Sequence, residues 1–251
     1  MVKVLHPVEQ LFCKLKAISF YPDGVLAVPE RIAGTAFFPG GSGLWLPDEN
    51  PELPPMPIGK VMVLGHDFHS LRGYQQSLAR GVEDLQGPTW RNLLSLLKRA
   101  NISPTDCFFT NAYMGLRESD SAVGQFPGSR NPAFVGLCQN FLAVQIHILR
   151  PRLILTLGRY VPSLLAPLSD DLKPWHRRKT LSELDAAQVP LIHNVRFGEN
   201  QEVVATTVAL THPCLWSANV GRRRYRSESG GNAELLMLKE ALSLSIVKTT
   251  N

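Results

Sequence analysis

The chain has 251 residues, 44% of them hydrophobic and 19% charged. That balance suits a folded chain with a substantial core and excludes a disordered one. The net charge of +5 is compatible with a nucleic-acid partner without requiring one.

Residues 8–20 (VEQLFCKLKAISF) carry apolar side chains at helical spacing. Residues 21–57 are rich in Pro and Gly and read as turns and short strands wrapping the surface. From Lys60 the pattern changes. KVMVLG, CFFTNAYM, RLILTLG and EVVATTVALTHP read as buried strands, three of them β-branched or apolar runs ending at glycine or proline. Between and after them, TWRNLLSLLKRANI, NPAFVGLCQNFLAVQIHILRP, GRYVPSLLAPL and ELLMLKEALSLSI read as helices, the second stopped by Pro151. Residues 169–190 are polar and basic and read as a surface excursion.

Strands that alternate with helices imply an α/β fold: three layers, α/β/α, around a short, mostly parallel sheet. One domain over 1–251 is expected, with residues 1–57 as an N-terminal extension packed on a core of residues 58–251. The opening MVKVLHPVEQLF has no secretory pattern, and no run reaches the length of a membrane span, so a cytoplasmic protein without a membrane partner is expected. The four cysteines, Cys13, Cys107, Cys138 and Cys214, form no C-x-x-C pair and suggest neither zinc nor a disulfide framework.

In such sheets a site lies beyond the carboxyl ends of the strands. Those ends here read Gly65-His66-Asp67-Phe68-His69, Thr110-Asn111-Ala112, Gly158-Arg159-Tyr160 and Thr211-His212-Pro213. An Asp, an Asn and a His on three of them suit cleavage of an N-glycosidic bond. A carboxylate stabilises the cationic sugar or orients a water. An amide reads a base edge. An imidazole hydrogen-bonds the oxygen on which charge accumulates.

VLGHDFHS, FFTNAYM and THPCLW, in that order, resemble the motifs of the uracil-DNA glycosylase superfamily over about residues 58–240. GPTWRNLLSLLKRANISPTDCFFTNAYM with GLCQNFLAVQIHILRPRLILTLGRY is most similar to the branch whose members often carry an iron–sulfur cluster. The resemblance implies a uracil-DNA-glycosylase-like fold that flips a base from DNA. In it Asp67 and His212 are catalytic and Asn111 reads the base. Gly65, His66, Phe68, His69 and Trp90 line the base pocket, with Trp90 or Phe68 stacking on the base. Pro213, Leu215 and Trp216 meet the DNA, with Leu215 or Trp216 as the wedge. In GRRRYRS, Arg222, Arg223, Arg224 and Arg226 are expected to meet phosphates, with HRRK at 176–179 a weaker second patch.

The chain departs from the family in several places. The family's Tyr two positions after the Asp, which excludes thymine, is His69 here, and its usual Pro is Phe68. Uracil, thymine, 5-hydroxymethyluracil or a bulkier modified pyrimidine are therefore open as targets. His66 replaces the usual Gln or Glu and alters the water site. Of the cluster cysteines only Cys138 matches, Gly115 standing where another is expected, so no cluster, metal or cofactor is expected. RESDSAVGQFPGSRN lacks the His of a DNA-trapping relative, and no lysine in the motifs supports a Schiff-base step. A monomeric, monofunctional glycosylase is the expectation, serving repair or attacking modified bases of foreign DNA. A DNA-binding module that has lost catalysis, or an enzyme acting on RNA or a nucleoside, is the alternative.

Overall fold

A computed structural model describes residues 5–46, 52–176, 178 and 180–246. In chain order the main elements are α1 (Pro7–Leu15), β1 (Val25–Leu26), β2 (Val61–Gly65), α2 (Leu71–Arg80), α3 (Pro88–Arg99), β3 (Cys107–Asn111), β4 (Leu116–Arg117), α4 (Pro132–Leu149) and β5 (Leu153–Leu157). There follow α5 (Val161–Leu165), α6 (Lys173–His176), α7 (Leu181–Ala186), β6 (Leu191–Phe197), β7 (Val203–Leu210), α8 (Trp216–Asn219), β8 (Arg224–Tyr225), β9 (Glu228–Ser229) and α9 (Gly230–Ile246).

The central sheet has the order β3-β2-β5-β7-β6, parallel except for β6, which runs antiparallel to β7. Alternate residues along each strand feed opposite faces. Val61, Val63, Phe109, Leu155 and Val208 pack with α3 and α9 on one side. Met62, Leu64, Phe108 and Ile154 pack with α1, α4, α6 and α7 on the other. This burial on both faces is why β2 is a continuous apolar run and β3 and β5 are nearly so, broken only by the buried Thr110, Asn111 and Thr156.

The helix ends follow local chemistry. Asn131 caps α4 by accepting from Phe134 N at 3.0 Å, Pro132 occupies its first turn, and Arg150, left-handed at φ 46°, ends it before Pro151. By length and composition α4 could cross a bilayer. Here Phe134, Cys138, Phe141, Leu142, Ile146 and Leu149 join the sheet's core instead.

Two expectations are corrected. Residues 35–44 are no surface wrap: they run along the free edge of β3, with Phe38 N donating to Phe109 O at 3.0 Å and Phe109 N to Gly43 O at 2.8 Å. The glycines there serve close approach, since a β-carbon on Gly43 would enter the Phe108 ring. Residues 169–190 are no mere excursion either. Trp175 is fully buried, donating from Nε1 to Val189 O at 2.6 Å, and Leu172, Leu184 and Asp185 are buried with it. Arg177 and Lys179 of the HRRK patch lie outside the described residues.

Candidate active site at the carboxyl ends of the parallel strands

β2 ends at Gly65, and the next two residues form the first candidate pair. Asp67 is 7% exposed and receives Arg117 in a fork, Nε to Oδ1 at 3.2 Å and Nη2 to Oδ2 at 2.9 Å. His66 Nδ1 lies 2.8 Å from the same Oδ2. Burial works against ionisation of Asp67, but hydrogen bonds from His66 and Arg117 and the charges of both outweigh it, leaving the carboxyl below its usual range. Arg117 also donates to the carbonyls of Val123, Gly124 and Gln125, so all five guanidinium N–H groups are engaged. It thus clamps the 123–125 loop to Asp67, a role the sequence reading missed. The only sequence signal is an arginine ending the buried run AYMGLR.

His66 sits in an aromatic cage. Its ring stacks on Tyr160 at 5.1 Å and 28°, and Tyr113 and Phe126 stand edge-on at 5.3 and 6.4 Å. Arg159 lies over the Tyr160 ring and donates to its hydroxyl.

At the end of β7, His212 Nδ1 accepts from Cys214 N at 3.3 Å and faces Cys214 Sγ at 3.0 Å. Burial, then the charge of His66, push its pKa down to about 4, with Asp67 opposing. The Cys214 thiol is held protonated, its pKa raised chiefly by burial, so Nδ1 is an acceptor and Nε2 carries the proton. His212 is therefore a neutral hydrogen-bond donor. Gly158, at φ 93°, lets the β5 end pass within 3.1 Å of His212 Cβ, measured from the position a β-carbon would take. Behind it, Thr211 N donates to the buried Glu234 at 2.6 Å.

The loop that follows divides the wedge candidates. Leu215 is 45% exposed. Trp216 packs its indole over Gly231 of α9, where a β-carbon would meet it at 2.9 Å. Leu215 is thus the free prong and Trp216 the anchor. Pro213 is buried, its carbonyl accepting from Asn92 Nδ2 at 2.8 Å.

Asn111 pairs in register with Gly65 and is buried. Its Nδ2 donates to Phe38 O at 3.1 Å, and its Oδ1 occupies the space a β-carbon on Gly65 would need. Gly65 therefore serves the close approach of Asn111. Phe37, partly exposed, comes within 3.4 Å of the same β-carbon position; sequence reading did not single it out.

Other expected residues lie elsewhere. Trp90 is a core residue: 5% exposed, it packs on Phe37, Trp45 and Phe109 and donates to Glu83 at 2.6 Å, so it cannot stack on a base. Phe68 lays its ring on Gly40 and beside Tyr74, which takes it out of the stacking role. His69 is exposed, with φ 145°; its ring lies on Gly73 and its Nδ1 accepts from Ser70 N at 2.8 Å. That strained residue turns the chain from β2 into α2.

Arg223 is the clearest correction to the phosphate-binding cluster. It is buried, paired with Asp185 at 2.9 Å and Glu234 at 2.8 Å, and out of reach of DNA. Arg226 pairs with Glu240 at 2.6 Å. Arg222 and Arg224 remain exposed, Arg224 donating to the carbonyls of Gly221 and Arg223. Among the described residues no group of three or more His, Cys, Asp or Glu is arranged to hold a metal.

Compared with models of protein families and with curated proteins, the chain matches none.

Proposed function

We propose that the protein is a DNA glycosylase with a uracil-DNA-glycosylase-like fold, hydrolysing the bond between a pyrimidine and its deoxyribose. The observation that carries this reading is the company of a buried, ionised Asp67 and a neutral His212 with its Nε2–H free to donate. As the base leaves, the sugar becomes cationic and the base takes the electron pair. The Asp67 charge stabilises the first, and the His212 N–H stabilises the second without itself carrying charge. Asn111, held by Phe38 O, keeps a carbonyl and a second N–H for the base edge. Leu215 fills the gap left in the duplex, and Arg222 and Arg224 meet phosphates. Position 69, where the resemblance expects the tyrosine that crowds C5, holds a histidine whose ring rests on Gly73, and this supports 5-hydroxymethyluracil as a substrate alongside uracil.

A DNA-binding module without catalysis is the second reading, favoured by the engagement of Asp67 with Arg117 and His66. Asp67→Asn separates the two. A glycosylase loses roughly 10²–10³-fold in single-turnover base release while binding DNA as before; for a module, neither variant nor wild type releases base.

Leu215→Ala tests the wedge. Release from duplex DNA falls roughly 10- to 100-fold, while release from single strands changes little, since only the duplex must be unstacked. An equal fall on both substrates would place Leu215 in the pocket instead.

A further inference from the structure

Asp67 has little left to offer a water. Oδ2 takes both Arg117 Nη2 and His66 Nδ1, and Oδ1 takes Arg117 Nε. The side chain that Asp67 orients is another matter. With Nδ1 directed at the carboxylate, the His66 ring turns Nε2 the other way, and among the described residues that nitrogen has no partner. The ring cannot swing freely, being stacked on Tyr160 and flanked by Tyr113 and Phe126. At 11% exposure its side chain is sheltered but still reached by solvent.

We infer that His66 is the general base of the reaction, its Nε2 binding and deprotonating the attacking water, with Asp67 as the positioning residue that accepts its Nδ1–H and Arg117 as the residue that fixes Asp67. The inference rests on the glycosylase reading and reassigns the water within it. An oriented imidazole whose other nitrogen is fixed by a carboxylate is the usual arrangement of a histidine base. The C1′–N bond breaks, and its electron pair departs on the base, which His212 Nε2–H holds. The water oxygen bonds to C1′, and its proton passes to His66 Nε2. The imidazolium then gives that proton to the departed base anion, so the sum is nucleotide plus water to free base plus abasic sugar.

The charged and titratable groups facing His66 are Asp67 beside it, Arg117 on β4, Tyr113 after β3, Arg159 and Tyr160 after β5, and His212 after β7. His66 and Arg117 hold Asp67 ionised, and burial keeps His212 neutral down to about pH 4.

The test is single-turnover base release by the full chain, on an oligonucleotide that the wild type cleaves, across a pH series. His66→Ala and His66→Gln lower the rate about 10²–10⁴-fold and lack the wild-type fall toward acid. Free imidazole restores part of the His66→Ala rate in proportion to its neutral form. Asp67→Asn slows release, and Asp67→Glu, which keeps a carboxylate acceptor for Nδ1–H, restores part of the rate. A His66→Ala rate within about threefold of wild type overturns the inference, because a general base contributes far more. So does a slow His66→Ala that keeps the acid fall and ignores imidazole, which would mark a structural ring. A wild type that cleaves nothing overturns the glycosylase reading itself, and the comparison with the variants keeps the two failures apart.

Discussion

Replacing His212 with Ala lowers base release about 10²–10³-fold while leaving DNA affinity unchanged. The loss falls on the chemical step, because the Nε2–H acts on charge that develops only as the base leaves. The same substitution has a signature in stability. The folded protein holds His212 neutral, with its pKa near 4 against an ordinary 6.5. Between those values the unfolded chain binds the extra proton and the folded one does not, so wild-type stability falls as pH drops through this window, by on the order of 3 kcal/mol in all. His212→Ala lacks that share of the slope. Denaturant titrations at pH 7 and pH 4.5 on both proteins check it. Identical pH dependence would mean that His212 is solvated, and the neutral-donor account would fail with it.

Arg223→Met destabilises the fold by about 3–5 kcal/mol, because it leaves the Asp185 and Glu234 carboxylates buried without their cation. For a chain of this size that lowers Tm by roughly 6–20 °C. Arg222→Ala, on the exposed side of the same run, leaves Tm within a degree or so and weakens DNA binding in a salt-dependent way. The reverse pattern, a stable Arg223→Met that binds DNA poorly, would restore the reading of GRRRYRS as one phosphate-binding stripe. The ion pairs also tie this stretch to the residues before His212. Arg223 bridges α7 and α9, and Glu234 of α9 receives Thr211 N directly before His212.

What the sequence made legible were features with a local physical signature. β2, β3, β5 and β7 stood out because strands buried on both faces are predominantly apolar or β-branched. Asp67, Asn111 and His212 stood out because together, at three strand ends, they make a set that can do chemistry, and because the motifs around them resemble a known family in the right order. β6 escaped notice since an edge strand, LIHNVRF, tolerates polar residues such as His193, Asn194 and Arg196 that break the apolar pattern. α2 escaped because Gly73, needed where the His69 ring lies, weakens its helical pattern. Residues 35–44 looked like turns because glycine signals a turn and a close contact equally. The pairings were illegible for a different reason. Arg117 meets Asp67 across 50 residues of chain, and Arg223 meets Asp185 across 38. Nothing in a run of charges tells which member turns inward.

The most direct test of the central claim is chromatographic detection of free base after the protein is incubated with oligonucleotides that differ at one position. That position holds uracil, 5-hydroxymethyluracil, mispaired thymine or a modified cytosine, in single- and double-stranded form. The account predicts free uracil and free 5-hydroxymethyluracil, each matched by an equal amount of abasic site. No free base from any oligonucleotide, with salt-sensitive DNA binding intact, would contradict it.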